Sequence, residues 1–381
     1  MLENELDFSN AVDYHYDQFP PPPKDIDLTR LVSFITNAAL AIGRYDQMLK
    51  SMHNSEILLA PLRKQEAVIS SRMEGTISTM DEILRYEADN EEDSDASINQ
   101  GFRTDVLETI LYSRTMQKAQ DHVLDGRPID DFFIRSLHQE LLRFGRGAEK
   151  SPGKYKNEQN YLVDKTKRKV RFIPISPAKL NEGLEVFFKY MQTSKDQSLI
   201  KIAISHIEFE ALHPFKDGNG RIGRMIITLL LWQQKIISAP HFYISGYLEE
   251  QKEEYIDLMR KVSSNGDWTS WCEFFLIALE KQAEHNLEIA TNIQNLYENM
   301  KNIFRETLGG TKWLISALDF VFTNPIFRTS KFKKETKIPL QPSSRIIKLL
   351  IEKELLILLA PAAGSRPALY AFEPLLRVVR V

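Results

Sequence analysis

The residues best able to do chemistry lie in one run of twelve, His213-Pro214-Phe215-Lys216-Asp217-Gly218-Asn219-Gly220-Arg221-Ile222-Gly223-Arg224. Histidine titrates near neutral pH and is the natural group to take a proton from an attacking hydroxyl. Gly218 and Gly220, at alternate positions, let backbone N–H groups crowd round an anion, and a helix opening just after them adds unsatisfied donors and a positive dipole end. Arg221 and Arg224 stand one helical turn apart, so both guanidinium forks can reach a single polyphosphate. Asp217 offers the carboxylate that a phosphate-bound Mg2+ needs. These are the parts required for in-line attack on a phosphoryl group, so the segment reads as a nucleotide-phosphate site with its own base.

Those parts need elements to hold them. Residues 199–212 carry Ile200, Ala203, Ile204, Ile207 and Ala211 on one helical face, and Pro214 disfavours helical geometry at His213. The helix is therefore expected to stop there and leave the imidazole at its end, with a new helix from Arg221. Apolar periodicity predicts further helices over residues 28–49, 55–71, 106–119, 130–142, 177–191, 220–234, 251–262 and from 268 onward. One stretch breaks the pattern. Tyr161-Leu162-Val163 and Val170-Arg171-Phe172-Ile173-Pro174 flank the polar run 164–169 and predict a β-hairpin.

Upstream, Pro20 to Pro23 form an extended arm, read as a lead-in, and the acidic stretch 81–97 reads as a solvated connector. Past Leu308 a helix over 311–322, the segment 328–337, a Pro-broken turn at 339–342, a helix over 343–353 and two short apolar runs follow the order of a winged helix-turn-helix module. Residues 324–381 hold eleven Lys and Arg against four Asp and Glu. The fold class expected is mainly α with a β-hairpin, in three parts: residues 1–96, 97–300 and 308–381.

Bulk properties exclude little but set the frame. The 381 residues are 43% hydrophobic, enough for a substantial core, and a net charge of -3 gives no whole-chain argument for a polyanionic partner or an anionic membrane surface. Cys272, the one cysteine, rules out an intrachain disulfide and a cysteine-rich zinc site. No signal-like N-terminus or membrane-spanning run is visible, and a soluble cytoplasmic protein is expected. His206 and His213 lack a Glu at metal-ligand spacing, so zinc is not expected. His122 and His138, on amphipathic helices, read as packed or exposed residues.

Every fixed position of the run 213–224 matches the active-site motif of the Fic family, and the chain resembles that family in its hairpin and N-terminal helices as well. The resemblance implies a Fic-type helical bundle and transfer of AMP from ATP, with Mg2+, to a Ser, Thr or Tyr hydroxyl of a protein, including the enzyme itself. It implies that His213 activates the hydroxyl, Asp217 holds Mg2+, and Asn219 binds the α-phosphate. Gly218 and Gly220 would offer amides, Ile222 and Gly223 complete the nucleotide-binding run, and Arg221 and Arg224 would hold the β- and γ-phosphates. The hairpin resembles the family's target-docking flap, with Gln159, Asn160, Tyr161, Leu162 and Val163 on one arm and Arg171, Phe172, Ile173 and Pro174 on the other, where an incoming backbone adds as a strand.

Ser70-Ser71-Arg72-Met73-Glu74-Gly75 resembles the family's inhibitory motif. Gly75 suits a helix C-terminal cap and leaves Glu74 in the last turn, where a carboxylate can pair with an arginine; the resemblance implies that this arginine is Arg224, which would deny the γ-phosphate its fork. Tyr243-Ile244-Ser245-Gly246-Tyr247 resembles the segment lining the adenine pocket and nominates Tyr247 and Glu250 for base contacts, although Glu254 departs from the family pattern. Two other readings stay open. One is removal of AMP, or transfer of another phosphate-containing group, on the same fold; the other is a DNA-binding regulator acting through the winged helix, which could equally contact protein. A homodimer is compatible with all of them.

Overall fold

A computed structural model of the chain describes residues 6–52, 55–90, 103–164, 166 and 168–380. It divides into two compact units, each drawn from two stretches of sequence: Met1–Arg44 with Arg114–Glu284, and Tyr45–Ser113 with His285–Val381.

The first unit is built round the helix Ser198–Leu212, in which every residue from Leu199 onward is buried. Its partner, Asn219–Gln233, is buried from Asn219 to Leu231. A helix covered on all sides belongs in the middle of a bundle, and Leu180–Thr193 packs on the first of this pair while Asp131–Leu141 packs on the second. Trp268, Trp271 and Phe275, all fully buried, belong to the long helix Trp268–Leu308.

Charge inside such a helix needs a partner. Glu208, fully buried, accepts from Tyr14 Oη at 2.6 Å and meets His15 Nε2 at 2.8 Å, and His15 Nδ1 meets Ser263 Oγ at 2.8 Å. Tyr14 and His15, ahead of the mostly exposed lead-in at 20–23, are thus seated in the core.

The expected hairpin is present as Leu162–Asp164 antiparallel to Lys169–Ile173, its turn at residues 165 and 167 lying outside the described residues. The N-terminal segment adds a third strand. Val12–Asp13 runs parallel to Lys169–Ile173, with Val12 beside Phe172 and Asp13 beside Ile173. The longer hairpin strand is therefore central and Leu162–Asp164 is the outer one.

In the second unit the helix Ser55–Met73 ends in paired C-terminal bonds, Gly75 N–H to Arg72 O at 2.9 Å and Thr76 N–H to Ser71 O at 3.1 Å. Gly75 has φ +87°, the left-handed conformation this stop requires. The acidic stretch is corrected here. Met80–Asp89 is a helix opened by a reciprocal Thr79–Glu82 capping box, with Ile83, Leu84, Tyr86 and Ala88 buried. Its charges mask a genuine apolar face at helical spacing; the remainder of the proposed connector, residues 91–97, lies outside the described residues.

The C-terminal part runs Leu314–Thr323, strand Ile326–Arg328, helices Thr329–Thr336 and Leu340–Glu352, strands Leu356–Ala360 and Leu369–Phe372, and helix Glu373–Val379. Leu369–Phe372 is the middle strand of an antiparallel sheet flanked by the other two. The helix expected over 343–353 starts three residues early, at Leu340, because Pro342 falls in its first turn, where no intrahelical N–H is needed. Several cations of this basic end are spent internally. Asp89 pairs with Arg328 and, at 2.6 Å, with Arg366, and Asp81 takes Arg380 in a two-nitrogen fork at 2.9 and 3.0 Å. Among the described residues no helix is long and apolar enough to cross a membrane.

Candidate active site

The helix Ser198–Leu212 stops where Pro214 requires, and His213 takes a left-handed backbone with φ 44° and ψ 59°. For a residue with a Cβ that conformation costs roughly 1–2 kcal/mol and persists only where the surroundings impose it. The half-buried imidazole points Nδ1 at Glu210 O, 3.3 Å away. A carbonyl can only accept, so Nδ1 carries the proton and Nε2 is the basic nitrogen.

The following turn folds back on itself. Asn219, buried, accepts from Phe215 N–H and donates to Phe215 O, both at 2.8 Å, so its amide staples the loop. Gly218 N–H donates to Asp217 Oδ1 at 2.7 Å, and Gly218 has φ +79° as the cap of Asn219–Gln233. That helix starts at Asn219, two residues before the sequence pattern suggested, because the glycine and the stapled asparagine complete its first turn. The N–H groups of Asn219, Gly220 and Arg221 occupy positions N1 to N3, which lack intrahelical acceptors.

Arg221 carries the strongest electrostatic signal. It is 3% exposed, its Nε and Nη1 have no hydrogen-bond partner among the described residues, and Nη2 lies 3.6 Å from Asp217 Oδ1. A buried guanidinium with unmet donors at a helix N-terminus fits a phosphate, which would satisfy both donors and the charge. Arg224, one turn on, is also buried, and its charge together with burial pushes His206 down to about 3. Gly223 permits the closeness of the two helices: a Cβ there would lie 2.3 Å from Glu210 Oε1 and 3.3 Å from the Phe209 ring. Ile222 is core.

Three residues outside the run 213–224 hold this segment: His138, expected as a packed or exposed residue, Asn160, expected in the flap arm, and Lys156, which carried no expectation. His138 is fully buried on Asp131–Leu141, donates through Nε2 to Asp217 O at 2.9 Å, accepts Gly153 N–H at 2.8 Å, and stacks on Phe215 with 3.7 Å between ring centroids. Burial pushes its pKa down to about 4, so the ring is neutral. The signal was there, a histidine on the apolar face that Phe133, Ile134, Leu137 and Leu141 define. Lys156 is buried and pushed down to about 7 by desolvation. It donates through Nζ to Leu212 O at 3.1 Å and Asn160 Oδ1 at 2.8 Å, and through its backbone to Pro214 O at 2.8 Å. Asn160 Nδ2 donates to His213 O at 3.1 Å and Phe215 O at 3.0 Å. Lys156 carries no mark of this role because its stretch has no periodicity, and the flap likeness of Gln159-Asn160-Tyr161 pointed to target docking and not to the support of His213.

The hairpin residues divide by environment. Phe172 is fully buried, Arg171 is tied to Glu253 at 2.8 Å and Asp257 at 2.7 Å, and Leu162, Val163 and Ile173 are half-buried. Tyr161 packs edge-on against Phe8. Thr228 of the second motif helix bonds Phe242 O and so seats the segment leading to Tyr247. Tyr247 is half-buried against Phe274, its N–H donating to Gln282 Oε1 at 2.8 Å; Glu250 is exposed at the end of Ser245–Glu250. Ser70, Glu74 and Gly75 belong to the second unit, where Ser70 is buried and Glu74 is exposed at the helix stop.

Comparison with known proteins agrees with this geometry. The sequence model described as Fic/DOC family matches residues 128–231, and the one described as Fic/DOC family N-terminal matches residues 32–121. A probable protein adenylyltransferase of Aquifex aeolicus is 24% identical over 261 residues, 64% of this chain and 75% of that protein. The protein adenylyltransferase fic-1 of Caenorhabditis elegans is 26% identical over 136 residues, 35% of this chain but only 24% of its own length. A Fic family protein from Desulfovibrio desulfuricans superposes with a TM-score of 0.57 at 17% identity, covering 90% of this chain and 95% of that one. Fic-1 from C. elegans superposes with a TM-score of 0.52 at 17% identity, covering 70% of this chain and 75% of that one. At these identities the superpositions establish the fold.

Proposed function

The chain belongs to the Fic/DOC family, and from that premise we propose that it is a protein adenylyltransferase, moving AMP from ATP to a Ser, Thr or Tyr hydroxyl of a protein. The observation that carries the reading is Arg221, a buried guanidinium with two donors unmet among the described residues at the N-terminus of Asn219–Gln233, the helix that follows the base. In the reaction His213 Nε2 takes the hydroxyl proton, the oxygen bonds to the α-phosphorus, and the bond from that phosphorus to the β-phosphate oxygen breaks, releasing pyrophosphate. Arg221 and Arg224 hold the leaving phosphates, and the N–H groups of the helix start face the phosphate chain. Asp217 would hold Mg2+, which supplies charge neutralisation on the phosphates; one carboxylate is sufficient, since Mg2+ completes its shell with phosphate oxygens and water. Asn219, already committed to Phe215, acts by shaping the loop that receives the α-phosphate.

Regulation and docking follow the same reading. Glu74 is the inhibitor: the likeness of Ser70 to Gly75 to the family's inhibitory motif supports a carboxylate that takes Arg224 from the γ-phosphate. The target backbone adds to the outer hairpin strand, Leu162–Asp164, because the other edge of Lys169–Ile173 is covered by Val12 and Asp13. The three-part division at 1–96, 97–300 and 308–381 is retained, and the helix, helix and hairpin order of the last part supports a winged helix. With Arg328, Arg366 and Arg380 paired to Asp89 and Asp81, protein contact is favoured there over DNA. The test is isotopic. Protein incubated with ATP labelled at the α-phosphate becomes labelled and protein given γ-labelled ATP does not; the reverse pattern overturns the proposal.

A further inference from the structure

Four consecutive carbonyls, those of Leu212, His213, Pro214 and Phe215, accept hydrogen bonds from Lys156 or Asn160, the last of them shared with Asn219 Nδ2. The segment they grip is the one with the strained backbone. His213 sits in left-handed space, its N–H is already bonded to Phe209 O at 3.0 Å, and the angle at which its ring leaves the chain is set by that backbone. A left-handed conformation at a residue with a Cβ relaxes unless neighbouring bonds over-determine it. Lys156 and Asn160 are themselves joined at 2.8 Å, so they act on the segment as one piece.

We propose that Lys156 and Asn160 are positioning residues for the base: by holding the 212–215 carbonyls they fix the His213 imidazole with Nδ1 on Glu210 O and Nε2 presented to the hydroxyl. The role rests on the transferase reading for its kinetic consequence but not for its structural one. Neither side chain needs to touch ATP, so the pair governs the rate of the chemical step and leaves nucleotide affinity alone. Asn160 also stands two residues before the outer hairpin strand, Leu162–Asp164, so the base and the docking edge share one support.

The test combines kinetics with a spectroscopic readout. A displacement of the base on the order of 1 Å is expected to cost ~100-fold in rate, so Asn160→Ala and Lys156→Met lower kcat for AMP transfer by roughly 30- to 100-fold while the KM for ATP stays within about twofold. Lys156→Arg, which retains a donor for Leu212 O, recovers most of the rate. Independently, nitrogen spectra of 15N-histidine protein report the His213 tautomer: wild type is Nδ1-protonated, and Asn160→Ala loses that single form. Replacing the buried lysine by the similarly shaped Met removes a buried charge, so the fold is expected to persist, and matching melting curves check it. Full kcat in both variants, or an unchanged His213 signal in Asn160→Ala, overturns the inference. A Glu74→Gly parent that transfers no AMP, while Asn160→Ala still changes the His213 signal, would instead count against the transferase reading and leave the positioning role standing.

Discussion

Replacing Arg221 by Met separates the cost of the site from its use. In the folded chain the guanidinium is 3% exposed, two of its nitrogens lack partners, and the nearest carboxylate oxygen is 3.6 Å off. Each buried unmet donor of a charged group costs about 1–3 kcal/mol, and the Asp217 contact offsets part of it. Met has a similar length and no polar atoms, so Arg221→Met is expected to gain about 1–3 kcal/mol of stability. At ~2–4 °C per kcal/mol for a chain segment of this size, the melting temperature should rise by several degrees. The same substitution removes the fork that a phosphate would satisfy. Wild type should therefore gain stability on adding ATP or pyrophosphate, in proportion to saturation, and the variant should gain little. The assay is thermal unfolding of both proteins with and without nucleotide. A variant less stable than wild type, or one still stabilised by ATP to the same extent, would refute the argument that this arginine is held unsatisfied for an anion.

Other outcomes follow from single residues. Gly223→Ala places a Cβ 2.3 Å from Glu210 Oε1, a side-chain end that must turn aside, and 3.3 Å from the Phe209 ring, so urea stability should fall by about 1 kcal/mol; an unchanged midpoint would mean both contacts relax freely. His138 is pushed down to about 4 by burial, whereas in the unfolded chain it titrates near 6.5. Between those values the unfolded state binds the extra proton, so stability is full above pH 6.5 and is lost as pH falls toward 4. His138→Gln should reduce the stability difference between pH 7 and pH 5 by about 1–2 kcal/mol, and an identical pH slope would contradict the buried neutral ring. Glu74→Gly should raise self-modification by roughly 10- to 100-fold, the worth of one charge-assisted fork, with little change in melting temperature because Glu74 is exposed at a helix stop. Equal labelling of the two proteins would remove the inhibitory role.

Much of the site could be read in the sequence because its signals are local. Pro214 ends one helix, Gly218 opens the next, and Gly75 closes a third, each through its own backbone restrictions, so the turns that present His213, the phosphate donors and Glu74 needed no knowledge of the rest of the chain. The hairpin was legible for the same reason. What escaped was nonlocal. Glu208 could not be matched to Tyr14 and His15 across about 190 residues, so the segment ahead of Pro20 carried no reading and its strand beside Phe172 was missed. The helix Met80–Asp89 was hidden by its own charge: Asp81 and Asp89 look like solvated residues until Arg380, Arg328 and Arg366 are found against them. Lys156 and Asn160 lie in a stretch without period, and only the folded chain brings them to four adjacent carbonyls.

The central claim is that the run 213–224 transfers AMP with His213 as its base, and intact-mass measurement tests it most directly. After incubation with ATP and Mg2+, Glu74→Gly protein is predicted to gain the mass of one or more AMP groups, and the same protein carrying His213→Ala is predicted to gain none. A gain of phosphate instead of AMP, no gain at all in Glu74→Gly, or an AMP gain that survives His213→Ala would contradict the account.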